Sequence, residues 1–475
     1  MNSFLRADHI SPLDMFKIGV GPSSSHTVGP MVAAQAFRKS AAAKLTEQLA
    51  KKPLKSSEKL HLKVELYGSL SLTGKGHQTD GAICAGLAGL SPKDSPVNQI
   101  WQVMDDLNKH PDLELVKGVP VQFKPEADLL WLAWLMDGEA LPHPNTLRFK
   151  LLRGDQVLLS EVILSVGGGF VETLSNAPKS KTSEVLAPSF DLLPYPYNTA
   201  QEFVHQVNQS GKHAWEIVTA NQAARGLPES ELREKLSGIL RVFESCIERG
   251  LVTEGILPGG LNVKRRAKGL NEQMLAGKQS VWSSNVGLKP SVYAIAVNEE
   301  NAAGGRVVTA PTNGSSGLIP AVFRTLQEGK NLSEETLQNG LIVASVIGAL
   351  VKTHASISGA EVGCQGEVGT SCAMAAAGAV AMLGGSVEQM EQAAEIGIEH
   401  HLGMTCDPIM GLVQVPCIER NAMGAVKALN AAELSLAGDG KHMITLDRAL
   451  EVMKQTGLDM NQKYKETATG GLALG

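Results

Sequence analysis

Aromatic residues make up only 4% of this 475-residue chain. With so few large rings, helices must pack through small side chains, and stretches such as "CAMAAAGAVAMLGG" supply them. Cysteine is rarer, at six residues: Cys84, Cys246, Cys364, Cys372, Cys406 and Cys417. No export signal accompanies them, so they are expected to be reduced, which favours metal ligation, catalysis or plain burial over disulfides. Long hydrophobic runs are missing too. The longest, Gly340 to Val351, falls short of the roughly 20 residues a membrane helix needs. Nor is there an excess of positive charge: the net charge is −5, which argues against nucleic acid and anionic membrane as partners and fits a small neutral or acidic metabolite. What is present, 43% hydrophobic and 19% charged residues, is an ordinary globular make-up, long enough for two or three cores.

The N-terminus lacks a continuous apolar core and a small-residue cleavage site, so no signal peptide is expected and the expected location is the cytoplasm. Ser11-Pro12-Leu13-Asp14 sets a capping serine before a first-turn proline and an acid, which predicts a short helix. A Gly/Ser-rich loop from Gly19 to Gly29 precedes a long helix opened by Pro30. Leu60, Leu62, Val64 and Leu66 alternate with polar residues as in a half-buried strand. Thr146 to Leu152 and Val157 to Val166 flank "RGDQ" as a hairpin. The expected fold class is therefore an α+β N-terminal domain, residues 1–176, followed by an all-α C-terminal domain, residues 199–475. The Pro-, Ser- and Lys-rich residues 177–198 read as the linker. The 49 glycines cluster in "LPGG", "AAGGRV", "TNGSSG" and "GCQGEVG", where backbone must turn sharply or approach a ligand.

Chemistry-bearing residues concentrate in those loops. Cys364 lies in "AEVGCQGEVG", and Cys406 and Cys417 bracket the proline-punctuated "TCDPIMGLVQVPC". Their spacing matches no common zinc or ferredoxin pattern, so ligation and burial stay equally open for all three. Cys84, Cys246 and Cys372 sit in helix-like text, where a buried thiol behaves as a small hydrophobe. In "GVGPSSSHTVGP", three serines and His26 lead into a helix whose first N–H groups can bind a carboxylate; the bland alternative is a capped helix start with a surface histidine. His77 in "TGKGHQTDG" and His143 with Asn145 in "LPHPN" also occupy loops, and three such histidines can converge on a cleft as acid and base. The pair His400-His401 is explained by a helix end. "NGSSG" and Lys264 admit a rival, a pyridoxal-dependent enzyme, although turns between helices explain them equally well.

Taken together, "KIGVGPSSSHTVGPM", "TGKGHQTDG", "LPHPN", "SVGGGFV", "LPGGLNVKRRA", "ENAAGGRVVTAPTNGSSGLIPAV", "SGAEVGCQGEVG" and "HHLGMTCDPIMGLVQVPCIERNA" resemble the bacterial single-chain iron-sulfur L-serine dehydratases. The likeness runs in order from about Ser11 to Ala473. It implies a [4Fe-4S] cluster on Cys364, Cys406 and Cys417. It also implies an N-terminal domain similar to allosteric substrate-binding domains, and active-site roles for His26, His77, His143 and Asn145. Some members carry a C-terminal cysteine that reaches back to the cluster; this sequence ends "GGLALG".

Three thiolates on a cubane would leave one iron open as a Lewis acid, which eases loss of the serine hydroxyl much as a metal lowers the pKa of bound water. The expected reaction is β-elimination of water from L-serine to pyruvate and ammonia. His26 or His77 takes the α-proton, the other protonates the leaving hydroxyl, and His143 with Asn145 positions substrate. Ser24, Ser25 and Thr27, with Asn313, Ser315 and Ser316, are the candidates for holding the carboxylate. A homodimer is the default assembly. Two other classes stay open: a pyridoxal-dependent dehydratase and a non-enzymatic amino-acid sensor.

Overall fold

Leucine or valine at every second position builds a central strand, Leu60–Leu66, whose inward side chains Leu60, Leu62, Val64 and Leu66 are all buried. It belongs to a computed structural model that describes residues 6–54, 58–132, 134–174, 193–277 and 287–474. Residues 177–192, most of the expected linker, lie outside the described residues. The chain divides into two compact units: the described residues of Gly19–Ser180, and those of Met1–Ile18 together with Lys181–Gly475.

In the first unit the sheet runs Val171–Leu174, Gln156–Ser165, Thr146–Arg153 and Leu60–Leu66, then Val119–Gln122 and Asp112–Val116, with Leu129–Trp131 also on Leu60–Leu66. The hairpin expected around "RGDQ" is present, Thr146 pairing with Leu164 at one end and Arg153 with Gln156 at the other. The long helix Gly29–Lys51 buries Ala33, Phe37, Ala41 and Leu45 in the same core as Leu62, Val64, Phe149 and Ile163. Phe37 stacks on Phe149 with ring centroids 5.0 Å apart, an arrangement of the preferred aromatic geometry. One detail differs from expectation. Ser24–Val28 is not loop but a wide first turn of this helix, in which Val28 N–H reaches Ser23 O five residues back at 3.0 Å.

Among its described residues the second unit is helical, apart from the short strand Arg306–Thr309, residues 17–18 of the strand Lys17–Val20 and one isolated bridge, so the fold class is as expected. Helices Glu334–His354 and Thr370–Met382 meet backbone to backbone. A Cβ on Gly378 would come within 2.9 Å of Gly340 O, and one on Gly340 within 3.1 Å of Gly378 O. Helix Val387–Glu399 closes on Thr370–Met382 in the same way, since a Cβ on Gly397 would lie 2.8 Å from Ala373 Cα. The apolar run at Gly340 extends into a 21-residue helix long and apolar enough to cross a membrane, but 78% of that window is buried inside the protein. It is a core helix. Residues 6–18 join this unit: Ala7 N–H donates to Asn198 Oδ1 at 3.0 Å and Tyr197 N–H to Asp8 Oδ2 at 2.9 Å. There Pro12–Met15 forms the expected short helix, with Ser11 and Asp14 capping reciprocally.

Candidate active site

All six cysteines are buried and unpaired as disulfides, so burial does not separate them; their neighbours do. Cys246 and Cys372 sit among core side chains, and burial pushes both thiols up to about 12. Cys84 is likewise pushed up by burial, within the sheet's core. Cys364, Cys406 and Cys417 instead act on one another. The hydrogen bond with Cys406 and the nearby Arg420 guanidinium push Cys364 down to about 7 against the effect of burial. The same bond, with burial, pushes Cys406 far up. Burial and then the Cys364 charge raise Cys417. The Cys364 and Cys406 sulfurs lie within 4.8 Å of each other, and Cys417 is near enough to feel the Cys364 charge.

Local sequence explains their positions. Cys364 starts the wide turn Gln365–Gly369, where Val368 N–H (2.9 Å) and Gly369 N–H (3.4 Å) both reach Cys364 O, and the turn continues into helix Thr370–Met382. The prolines around Cys406 keep residues 404–416 out of long helix, and Cys417 opens helix Cys417–Ala437. Two thiols thus sit at helix N-termini, where the dipole favours negative charge. Cys406 is clamped through its backbone, its N–H on Tyr464 O (2.8 Å) and its carbonyl accepting from Thr467 N–H (3.1 Å).

Two residues that sequence reading missed complete the group. Arg420, one turn into the helix that Cys417 opens, donates to Thr405 O at 2.5 Å and pairs with Asp407 at 3.4 Å. Burial works against its charge, but the thiols beside it, Cys364 first, hold its pKa above the ordinary guanidinium value. Glu367 follows Cys364 by three positions, and one carboxylate oxygen lies within 4.8 Å of both the Cys364 and Cys406 sulfurs. Cys406 Sγ is 3.6 Å from Glu367 Oε2. Burial and the neighbouring Cys364 charge raise this carboxyl well above its ordinary value.

Of the other candidates in this unit, Asn313 and Ser315 spend polar atoms on their own loop: Thr309 Oγ1 donates to Asn313 Oδ1 (2.6 Å), and Ser315 Oγ donates to Ala310 O (3.3 Å). Ser316 Oγ is buried with no hydrogen-bond partner. The loop stands against the thiol group, because a Cβ on Gly314 would come within 2.9 Å of Glu367 Oε1. A Cβ on Gly359 would meet Glu367 Oε2 at 2.7 Å and Cys406 Sγ at 3.2 Å. The Cys406 sulfur and the Glu367 carboxylate therefore border two positions that tolerate only glycine. Converging soft donors, a compensating guanidinium and those two glycines fit an iron-sulfur cluster.

In the α+β unit His26, His77, His143 and Asn145 are linked. His26 Nδ1 lies 2.8 Å from Ser25 Oγ and Nε2 3.1 Å from Ser69 Oγ, and its ring centroid is 4.7 Å from that of His77. His77 Nδ1 donates to Thr73 O at 3.0 Å, which in neutral imidazole leaves the lone pair on Nε2. His143 is the reverse: Nδ1 accepts Asn145 N–H at 3.0 Å, so its proton sits on Nε2. Gly68, at φ +58, lets Ser69 N–H reach Pro144 O at 2.9 Å, tying the His143 loop to His26 through Ser69. Asn145 Nδ2 donates to Ser165 O at 3.4 Å, and Ser165 Oγ to Ser25 O at 2.7 Å. Thr27 Oγ1 accepts from Ser23 N–H and donates to His77 O at 2.7 Å, so that hydroxyl is engaged in positioning His77. Ser24 is buried beside them.

Comparison with known proteins bears on both units. The family model described as serine dehydratase beta chain matches residues 11–176, and that of the serine dehydratase alpha chain residues 209–473. The chain belongs to the serine dehydratase family. Among its relatives, L-serine dehydratase 1 of Escherichia coli strain K12 is 43% identical over 468 residues, 98% of this chain and 99% of the relative. L-serine dehydratase 2 of the same strain is 44% identical over 469 residues, 98% of each chain. The L-serine dehydratase of Streptomyces coelicolor is 44% identical over 474 residues, again 98% of each. In this member of the serine dehydratase family, the beta-chain match holds the histidine group and the alpha-chain match holds the three thiols.

Proposed function

We propose that the protein is an L-serine dehydratase that eliminates water from L-serine to give, after tautomerisation and hydrolysis, pyruvate and ammonia. The observation that carries this reading is the close approach of Cys364 and Cys406, with Cys417 near enough to feel the Cys364 charge, in a chain that aligns over 98% of its length with L-serine dehydratases. Those three thiolates would hold a [4Fe-4S] cluster. When bound, the cluster would supply Lewis acidity toward the substrate's oxygens, with no redox change.

The chain's own residues supply the remainder. Arg420 offsets the negative charge of the thiolates, and the helix starts at Cys364 and Cys417 add to that. His77 is the base for the α-proton, because its bond to Thr73 O puts the proton of the neutral ring on Nδ1 and the lone pair on Nε2. Thr27 fixes that ring's backbone through His77 O. His143, with its proton on Nε2, is the donor side of the pair, and His26 links the two through Ser69. Ser24, Ser25 and Asn145 are the α+β domain's candidates for substrate contact. The domain roles follow, with residues 6–18 moved to the helical unit: the rest of the expected 1–176 domain brings the histidines, 177–198 connect, and 199–475 hold the cluster. We take the working form to be a cytoplasmic homodimer.

Protein purified without air is expected to form pyruvate and ammonia in equal amounts from L-serine. Serine binding without turnover would mark it as a sensor, and turnover that tracks an aldehyde cofactor rather than iron would mark the pyridoxal class.

A further inference from the structure

Around Glu367 several polar groups are buried and unmatched. Asn421 is fully buried, and its Nδ2 donates to Gly314 O (2.7 Å) and to Cys417 O (2.9 Å). Those two carbonyls fix the amide's orientation and leave Oδ1 as an acceptor with no partner. Ser316 Oγ, two residues from Gly314, and Ser358 Oγ, next to Gly359, are buried and unpartnered as well. Gly314 and Gly359 are the two positions where a side chain would strike the Glu367 carboxylate. Asn421 is thus held on the carbonyl of Gly314, the residue that abuts the Glu367 carboxylate, and the amide oxygen, the carboxylate and the two hydroxyls can each accept a hydrogen bond.

Of the other acids in this region, Glu466 adds negative charge beside Glu367, and three are paired through at least one oxygen. Asp407 pairs with Arg420 through Oδ1 and accepts Leu472 N–H at 2.9 Å through Oδ2. Glu419 pairs with Arg266, and Glu361 accepts from Ser356 Oγ at 2.5 Å. Glu367 already meets Cys406 Sγ and Thr312 and stands among negative charges, so a further partner would be a cation with several N–H donors. A primary ammonium group has three.

We propose that Glu367, with Asn421 Oδ1, recognises the ammonium group of the amino-acid substrate and so sets specificity for 2-amino acids over hydroxy acids of the same length. The inference rests on the L-serine dehydratase reading above. It assigns a buried charge pair to the substrate complex, and such pairs lose binding steeply when one partner is truncated.

The test uses Glu367→Gln in anaerobically purified enzyme, with iron and sulfide content measured beside kinetics. The KM for L-serine is expected to rise ~30-fold or more, as for a broken buried charge pair, with iron content kept. The inhibition constant of 3-hydroxypropanoate, which has the carboxylate and β-hydroxyl but no ammonium, is expected to stay within about threefold. If the variant shows no measurable turnover, calorimetric binding of unreactive L-alanine replaces KM, with the same expected loss. Wild type gives a reading that needs no variant: 3-hydroxypropanoate should inhibit with a constant at least ~10-fold above the L-serine KM. Loss of iron from the variant, an unchanged KM, or equal weakening of both ligands would overturn the inference alone. Absence of L-serine turnover by the wild type would take the functional reading down with it.

Discussion

His77 and Thr27 show how much a single carbonyl contact decides. Thr73 O accepts a hydrogen bond from His77 Nδ1–H, and Thr27 Oγ1 donates to His77 O at 2.7 Å, so both the tautomer and the placement of the ring are set by neighbours. His77→Asn is expected to lower kcat ~100-fold or more, the usual worth of a general base, while iron content stays at the wild-type level. Thr27→Val, which removes only the positioning hydroxyl, should lower kcat ~10-fold with a smaller change in KM. Near-normal kcat in both would remove His77 from the base role. Arg420 makes a parallel case on the sulfur side. Arg420→Leu leaves Cys364 without its guanidinium, so the variant should lose iron faster in air than the wild type; Arg420→Lys keeps the charge but not the fork to Thr405 and Asp407, and should fall between them.

At the scale of elements, both chemical groups sit on wide helical turns, Ser24–Val28 before one helix and Gln365–Gly369 before another. Such turns recur at functional sites because the extra residue re-aims side chains and backbone N–H groups. Neither was visible in the sequence, where "SSSHTVG" and "GCQGEVG" read as loops, since turn width is set by packing against distant segments. Helix contacts were more legible: scarce aromatics and abundant Ala and Gly implied close packing, and Gly340, Gly378 and Gly397 provide it. The energetic consequence differs from glycine to glycine. Gly397→Ala drives a methyl against Ala373 backbone at 2.8 Å and should destabilise by about 2 kcal/mol or more. Gly269→Ala, on the exposed helix Ala267–Leu275 with nothing within 4 Å, should stabilise by up to about 1 kcal/mol. Urea unfolding of the two variants checks the contrast.

For the whole molecule, pH acts through buried groups outside the site. Burial pushes His401 down to about 4, and burial with the nearby Glu399 charge pushes Glu395 up to about 7. The unfolded chain binds more protons at His401 below pH ~6.5, so that group's contribution, about 3 kcal/mol, is lost as pH falls from there to ~4. The folded chain binds more protons at Glu395, so its contribution is lost as pH rises from ~4.5 to ~7. The slopes oppose each other, and the wild-type unfolding temperature should be nearly flat between these limits. In His401→Gln it should fall as pH rises; an unchanged profile would refute the assignment.

Much of the two-part architecture was legible, because alternation at Leu60–Leu66 and the hairpin are local patterns. The grouping of residues 6–18 with the helical unit was not, since it depends on partners such as Asn198, nearly two hundred residues away. The same holds for the site. Cysteine identity pointed to candidates, but what distinguishes Cys364, Cys406 and Cys417 from the equally buried Cys372 is the company of Arg420 and Glu367, which only folding supplies.

The most direct measurement is iron and acid-labile sulfide per chain, with L-serine turnover, in anaerobically purified wild type, Cys364→Ser, Cys406→Ser, Cys417→Ser and Cys372→Ala. The account predicts about four iron and four sulfide with full activity in wild type and Cys372→Ala, and loss of both cluster and turnover in each of the other three. Retained cluster in any of those three, or undiminished turnover by iron-free wild type, would contradict it.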